Sequence, residues 1–309
     1  MSSETRLGLF YTLSAFVIWG IVPIFWKQLQ GISAPQILAH RVVWGLAFVV
    51  IWVSLRKRWP EFAAVLKRPR TVAALLASTV FIAINWGLFV WAVVTDRVLA
   101  TSLGYFINPL VNVVLGFLVL KERLNRRQLA AVILAAIGVA VLTIQGGRLP
   151  WISLVLAFSF GMYGLLRKTV KADAVVGLAF ETIALMPFAV GFLVLVDRRG
   201  QGAFGHMGPY TDFLLVAAGA VTAFPLILFT LGVRRIPLST AGLLQYIAPT
   251  CTFFLAVFLY GEDFSGAHVI SFGLIWTALV IYTYDLRQQL RRDPSLDAEE
   301  SPAIAIIED

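Results

Sequence analysis

Charge is scarce in this sequence: of 309 residues, 17 are acidic and 25 basic, together 14%, where soluble domains carry about 25%. Histidine occurs three times and cysteine once. Cys251 therefore has no partner for an intrachain disulfide, and in its apolar run it reads as a small core residue. No phosphate-binding G-x-x-x-x-G-K-[ST] loop is present, which argues against nucleotide hydrolysis by this chain. H-E-x-x-H, G-x-S-x-G and paired intramembrane aspartates are also missing. An intramembrane enzyme would then have His40 and Glu181 without a nucleophile, and neither a metal nor a cofactor is called for.

What fills the chain is apolar. The hydrophobic share is 59% and the mean hydropathy +0.84, beyond the roughly 45–50% of soluble domains. Ten segments approach the roughly 20 residues needed to cross a bilayer. They lie near Leu7–Trp26, Gln36–Leu55, Thr71–Val94, Leu99–Leu120, Gln128–Gln145, Trp151–Leu166, Ala174–Val196, Asp212–Val233, Ser239–Tyr260 and Gly266–Tyr284. The first has the length of a retained span, and no convincing cleavage site follows it.

The net charge of +8 does not point to nucleic acid, because the cations are sorted by loop. With the N-terminus inside, 19 of them fall in cytoplasmic segments and five outside, and Arg41 lies within a span. That bias predicts both termini in the cytoplasm of a plasma-membrane protein. After Tyr284 the sequence turns polar, and residues 287–309 are expected to form a disordered acidic tail.

The two halves of the chain are related. Ile107-Asn108-Pro109 recurs as Ile247-Ala248-Pro249, and the same offset of 140 superimposes Ala39 on Ala179, Phe48 on Phe188, Pro69 on Pro209, Phe89 on Phe229, Leu103 on Leu243 and Glu122 on Glu262. Five spans per half is an odd number, so the second half enters the membrane inverted. The expected architecture is an all-α polytopic membrane protein of ten transmembrane helices in two inverted five-helix repeats, residues 1–147 and 148–286. A duplicated, proline-interrupted membrane helix is the pattern of a secondary transporter.

Several strings add a family likeness: His40-Arg41-Val42-Val43-Trp44, Asn85-Trp86 with Trp91-Ala92, Ser102 through Leu110, Ala157-Phe158-Ser159-Phe160 with Tyr163-Gly164, and Gln245-Tyr246-Ile247 with Pro249-Thr250. With them the chain resembles the EamA-domain proteins of the drug/metabolite transporter superfamily, and within these the RarD, or chloramphenicol-sensitivity, group. The resemblance implies a ten-helix fold with a central cavity and leans toward export, and it leaves the physiological substrate open.

Pro109 and Pro249 each remove a helix hydrogen bond and are candidates for gating, with a static kink as the alternative. Arg41 and Glu181 are the deepest unlike charges, and a mid-membrane charge usually faces a cavity or a partner. Entering from opposite sides, they are expected at different heights with separate roles. Glu181 is the candidate proton carrier, against a hydrogen-bonded structural Glu, and His40 a second coupling candidate, against a packed His. Trp19, Arg41, Asn85, Trp86, Tyr105, Asn108, Tyr163, Gln245 and Tyr246 are candidate substrate contacts, each weighed against interhelical packing. Glu122 and Glu262 read as charges placed near helix N-termini. The function expected is a secondary transporter exporting a small organic solute by alternating access, with protons as the suspected coupling ion. The alternatives are an intramembrane enzyme or a non-transporting component of a membrane assembly.

Overall fold

The computed structural model describes residues 3–119, 125–170, 172–233, 235–236 and 244–292, and every regular element among them is helical. In chain order these are α1 (Ser3–Lys27), α2 (Ala34–Leu55), α3 (Trp59–Leu66), α4 (Pro69–Val94), α5 (Val98–Val119), α6 (Arg126–Gly146), α7 (Trp151–Thr169), α8 (Ala174–Arg198), α9 (Pro209–Val233), α10 (Ile247–Phe254) and α11 (Gly266–Arg292). A π-helical turn, Leu255–Leu259, continues α10. Among the described residues eight helices are long and apolar enough to cross a membrane, and Trp151–Arg167 and Ile247–Leu259 are shorter apolar helices. The short α3 was not expected from the sequence. Pro60 in its first turn starts it without losing a needed hydrogen bond, and Val65 buries its apolar face.

The helix starts repeat with the sequence offset. Ala34 and Ala174, Pro69 and Pro209, and Arg126 and Gly266 each open a helix 140 residues apart. The caps repeat too. Asn125 accepts from Arg127 N and Gln128 N, both at 2.9 Å, while Gln128 Oε1 accepts the Asn125 N–H at 3.1 Å. At the matching positions His268 Nδ1 accepts the Ser265 N–H at 3.2 Å. Each bond satisfies a helix-end donor that lipid would leave unpaired.

The chain forms two compact units that do not follow its halves. One comprises Met1–Pro23, Asp96–Leu165 and Leu228–Asp309, and the other Ile24–Thr95 and Leu166–Ile227. In the first, α6 packs on α11 and α5 on α10, and Phe106, Phe253, Phe264, Phe272 and Trp276 make a cluster of mostly edge-to-face rings. In the second, α2 packs on α8 and both contact α4. Val49 and Val53 meet Ala179, and Val65 and Leu75 meet Val176 and Phe180. Ile144 (80% exposed), Phe188 (76%) and Phe258 (75%) show what faces outward. Apolar helix surfaces of this kind need lipid as their solvent.

Two expectations change. Pro109 lies inside α5, which runs through it from Val98 to Val119, so the helix is not broken there. Pro249 sits in the first turn of α10, where a missing N–H costs little. The irregular stretch near it is the π turn that follows. The closing helix reaches Arg292, so residues 287–292 are helical, and 293–309 of the expected tail lie outside the described residues.

Candidate functional site

In the second unit, α2 carries Arg41 four residues after Ile37, on a helix with no other charged side chain. Its guanidinium lies 4.3 Å from the Trp86 ring centroid and 5.4 Å from that of Trp26. Stacking between indoles suits a planar, weakly hydrated cation in a membrane. Trp86 is a residue singled out from the sequence, and its neighbour Asn85 is buried at 1% exposure. Trp26 was missed. It ends the first apolar segment next to Lys27, where tryptophan reads as an interfacial anchor.

Glu181 is fully buried on α8. The Ser78 hydroxyl on α4 donates to its Oε1 at 2.6 Å, and Arg167 Nη1 on α7 stands 3.9 Å from the same oxygen. The ion-pair partner recorded for Glu181 is thus Arg167, a cation that the loop count had placed among the orientation signals. Arg167 is held in turn by the Asp173 carbonyl, which accepts from Nη2 at 3.2 Å. Asp173 caps α8 through Val175 N and pairs with Arg58 at 2.7 Å. Arg58 also binds Glu61, and these bonds outweigh the effect of its partial burial and raise its already high pKa.

His40 stands apart from Glu181. It is 6% exposed, packs on Phe204 with ring centroids 5.4 Å apart, and lines a cavity of about 520 Å³ together with Leu193, Val194 and Asp197. Gln36, one turn earlier, fixes the wall of that cavity: its Nε2 donates to Gln201 O at 3.1 Å and its Oε1 accepts from Ala203 N at 3.0 Å. Leu193 follows Glu181 by twelve residues, roughly 18 Å of helix. The two coupling candidates occupy separate places within one unit.

In the first unit, Tyr105 and Tyr163 meet through Phe160, with centroid separations of 6.0 Å on each side. Asn108, one turn on from Tyr105, is fully buried, and neither its Oδ1 nor its Nδ2 has a hydrogen-bond partner. An amide left so in an apolar core costs about 1–3 kcal/mol per group. Trp19 stacks with Phe16 and Phe229 at 5.6 and 5.7 Å. Gln245 and Tyr246 are half-buried just before α10. Pro249 contributes its carbonyl, which accepts from Ser102 Oγ at 2.8 Å.

Glu262 does sit at a helix N-terminus, but at that of α5 and not of the helix that follows it. It accepts from Val98 N at 2.6 Å and Leu99 N at 2.8 Å. It also lines a second cavity of about 530 Å³ with Asp96, Arg97 and His268. Glu122 lies outside the described residues.

Long helices with apolar, outward-facing surfaces define a polytopic α-helical membrane protein. The family model of the EamA-like transporters matches twice, over residues 6–144 and 149–284, and the chain belongs to that family. Protein RarD of Streptomyces exfoliatus is 43% identical over 302 residues, covering 98% of this chain and 96% of its own. Protein RarD of Escherichia coli K12 is 42% identical over 291 residues, with 94% and 98% covered. A "chloramphenicol-sensitive protein RarD" of Pseudomonas aeruginosa is 31% identical, covering 92% of this chain. A crystal structure 16% identical in sequence, covering 91% of this chain, superposes with a TM-score of 0.55 and shares the fold. The chain is a multi-pass membrane transporter related to RarD proteins.

Proposed function

We propose that this transporter is a secondary exporter that moves a small organic solute by alternating access, with protons as the coupling ion. The observation that carries the reading is the repetition of helix starts and caps at an offset of 140 residues, with the family model matched once in each half. It supports two inverted five-helix repeats, residues 1–147 and 148–286, in which the shorter helices Trp151–Arg167 and Ile247–Leu259 complete the ten spans. The distribution of cations supports a plasma-membrane protein with both termini in the cytoplasm.

Within this reading Arg41, Trp86 and Asn85 are solute contacts in one unit, and Tyr105, Asn108 and Tyr163 are solute contacts in the other. Trp19, Gln245 and Tyr246 are further solute contacts, Glu181 is the proton carrier with His40 as a second titrating group, and Pro109 and Pro249 flex at the gates. Glu181 fits its role because burial penalises its charged form while the Ser78 hydroxyl and the Arg167 cation beside it favour that form, so the two protonation states are brought closer in energy. The test is flux in proteoliposomes across a solute panel that begins with amphenicols, since one relative's name refers to chloramphenicol. Uphill flux under an inward proton gradient, lost in Glu181→Gln, is expected. A pure protein that moves no solute under any pH gradient ends the transport mechanism, and full proton-driven flux in Glu181→Gln ends the coupling role.

A further inference from the structure

Gly177 lies one turn before Glu181 on α8. A Cβ at Gly177 would collide with Nη1, Cζ and Nη2 of Arg167. The missing side chain is therefore the slot through which the guanidinium reaches the carboxylate. Arg167 is 13% exposed and Glu181 fully buried, so water screens the pair little.

Ser78 completes the arrangement. Its hydroxyl is 2.6 Å from Glu181 Oε1 and 2.9 Å from the Leu75 carbonyl, and it has one proton to give. With Glu181 ionised, that proton goes to the carboxylate. With Glu181 protonated, the new O–H donates to Ser78 Oγ and Ser78 donates to Leu75 O. Ser78 and Glu181 stay hydrogen-bonded in both protonation states, Leu75 O gains the Ser78 proton when Glu181 is protonated, and the attraction of Arg167 is lost with the charge. Among the described contacts, α4 presents Ser78 to Glu181 and α7 presents Arg167. The neighbouring turns of α8 meet uncharged Val49 and Val53 of α2 and Val65 of α3. The next charges at that end are Asp173, Arg58 and Glu61, already paired with one another.

We propose that Arg167, seated by Gly177, is the positioning residue that sets the pH at which Glu181 takes up its proton, a role that rests on the proton-coupling reading above. The proton leaves a hydronium ion, whose O–H bond breaks as the Glu181 O–H forms and which remains as water.

The experiment is an infrared pH titration of the full chain in lipid nanodiscs, following the protonated-carboxyl band assigned by its loss in Glu181→Gln. Arg167→Gln and Gly177→Ala are expected to move the midpoint of that band upward by about one pH unit, tenfold in proton concentration. Arg167→Lys is expected to stay near wild type. Gly177→Ala should still fold, because the colliding atoms are the free end of a flexible side chain. An unchanged midpoint in both Arg167→Gln and Gly177→Ala overturns the proposal, as does a wild-type band that never titrates or a Gly177→Ala protein that fails to fold. A band that moves as expected, beside solute flux indifferent to pH, leaves the Arg167 assignment standing and removes proton coupling.

Discussion

Gly219 of α9 and Gly45 of α2 offer a matched pair of substitutions. A Cβ on Gly219 would lie 2.7 Å from the Gly45 amide nitrogen and 2.7 Å from Trp44 Cβ, where ordinary contacts begin near 3.4 Å. The obstacle is largely backbone, with the Trp44 carbonyl carbon closest of all, so no side chain can swing aside, and α9 must withdraw from α2 by roughly 1 Å. Overpacking of this sort costs about 1–3 kcal/mol. That corresponds to roughly a 5- to 150-fold loss in the folding equilibrium. A Cβ on Gly45 would meet nothing within 4 Å, and alanine there gains up to about 1 kcal/mol of helix propensity. Unfolding of the two purified variants by titration with a denaturing detergent should therefore move in opposite directions. Equal destabilisation of both, or of neither, would refute close backbone approach as the reason for Gly219.

Glu262→Ala removes two charge-assisted bonds from Val98 and Leu99, which are 0% and 6% exposed, and should cost about 2–4 kcal/mol in the same titration, while Asp263→Ala should cost close to nothing. Asn108→Leu deletes an unpartnered amide while keeping its shape, so it should leave stability equal or higher, and loss of transport without loss of fold is expected from flux assays. If that variant unfolds instead, the amide has a structural role. Arg41→Lys keeps the charge but loses the planar face over Trp86, a contact worth about 0.5–2 kcal/mol. Solute affinity should fall up to roughly 30-fold in Arg41→Lys and equally in Trp86→Leu, and unequal effects would separate Arg41 from its indole.

Eight of the spans, and the 140-residue offset that the helix starts follow, were legible in sequence because long apolar runs satisfy their backbone within themselves, so their residues alone decide that they are helices. Proline was a weaker guide. Pro109 predicted an interruption, yet α5 continues through it, because removing one hydrogen bond does not end a helix anchored on both sides. The short α3 escaped notice because eight residues at a helical period look like any polar-apolar loop.

Partners were the least legible. Glu181 stood out as the carboxylate deep within a span, but nothing in the order of residues pairs it with Arg167 in place of Arg41. Trp26 beside Arg41, and Glu262 on the start of α5, join residues 15 and 163 or more positions apart. Sequence by itself determined the solvent, the eight long apolar helices and the 140-residue offset between helix starts, since these depend on local polarity and on spacing along one chain. Tertiary structure alone decided which buried charge meets which, and that two compact units draw on both halves of the chain. Those outcomes depend on side-chain reach and on where a missing Cβ, as at Gly177 and Gly219, lets another group come close.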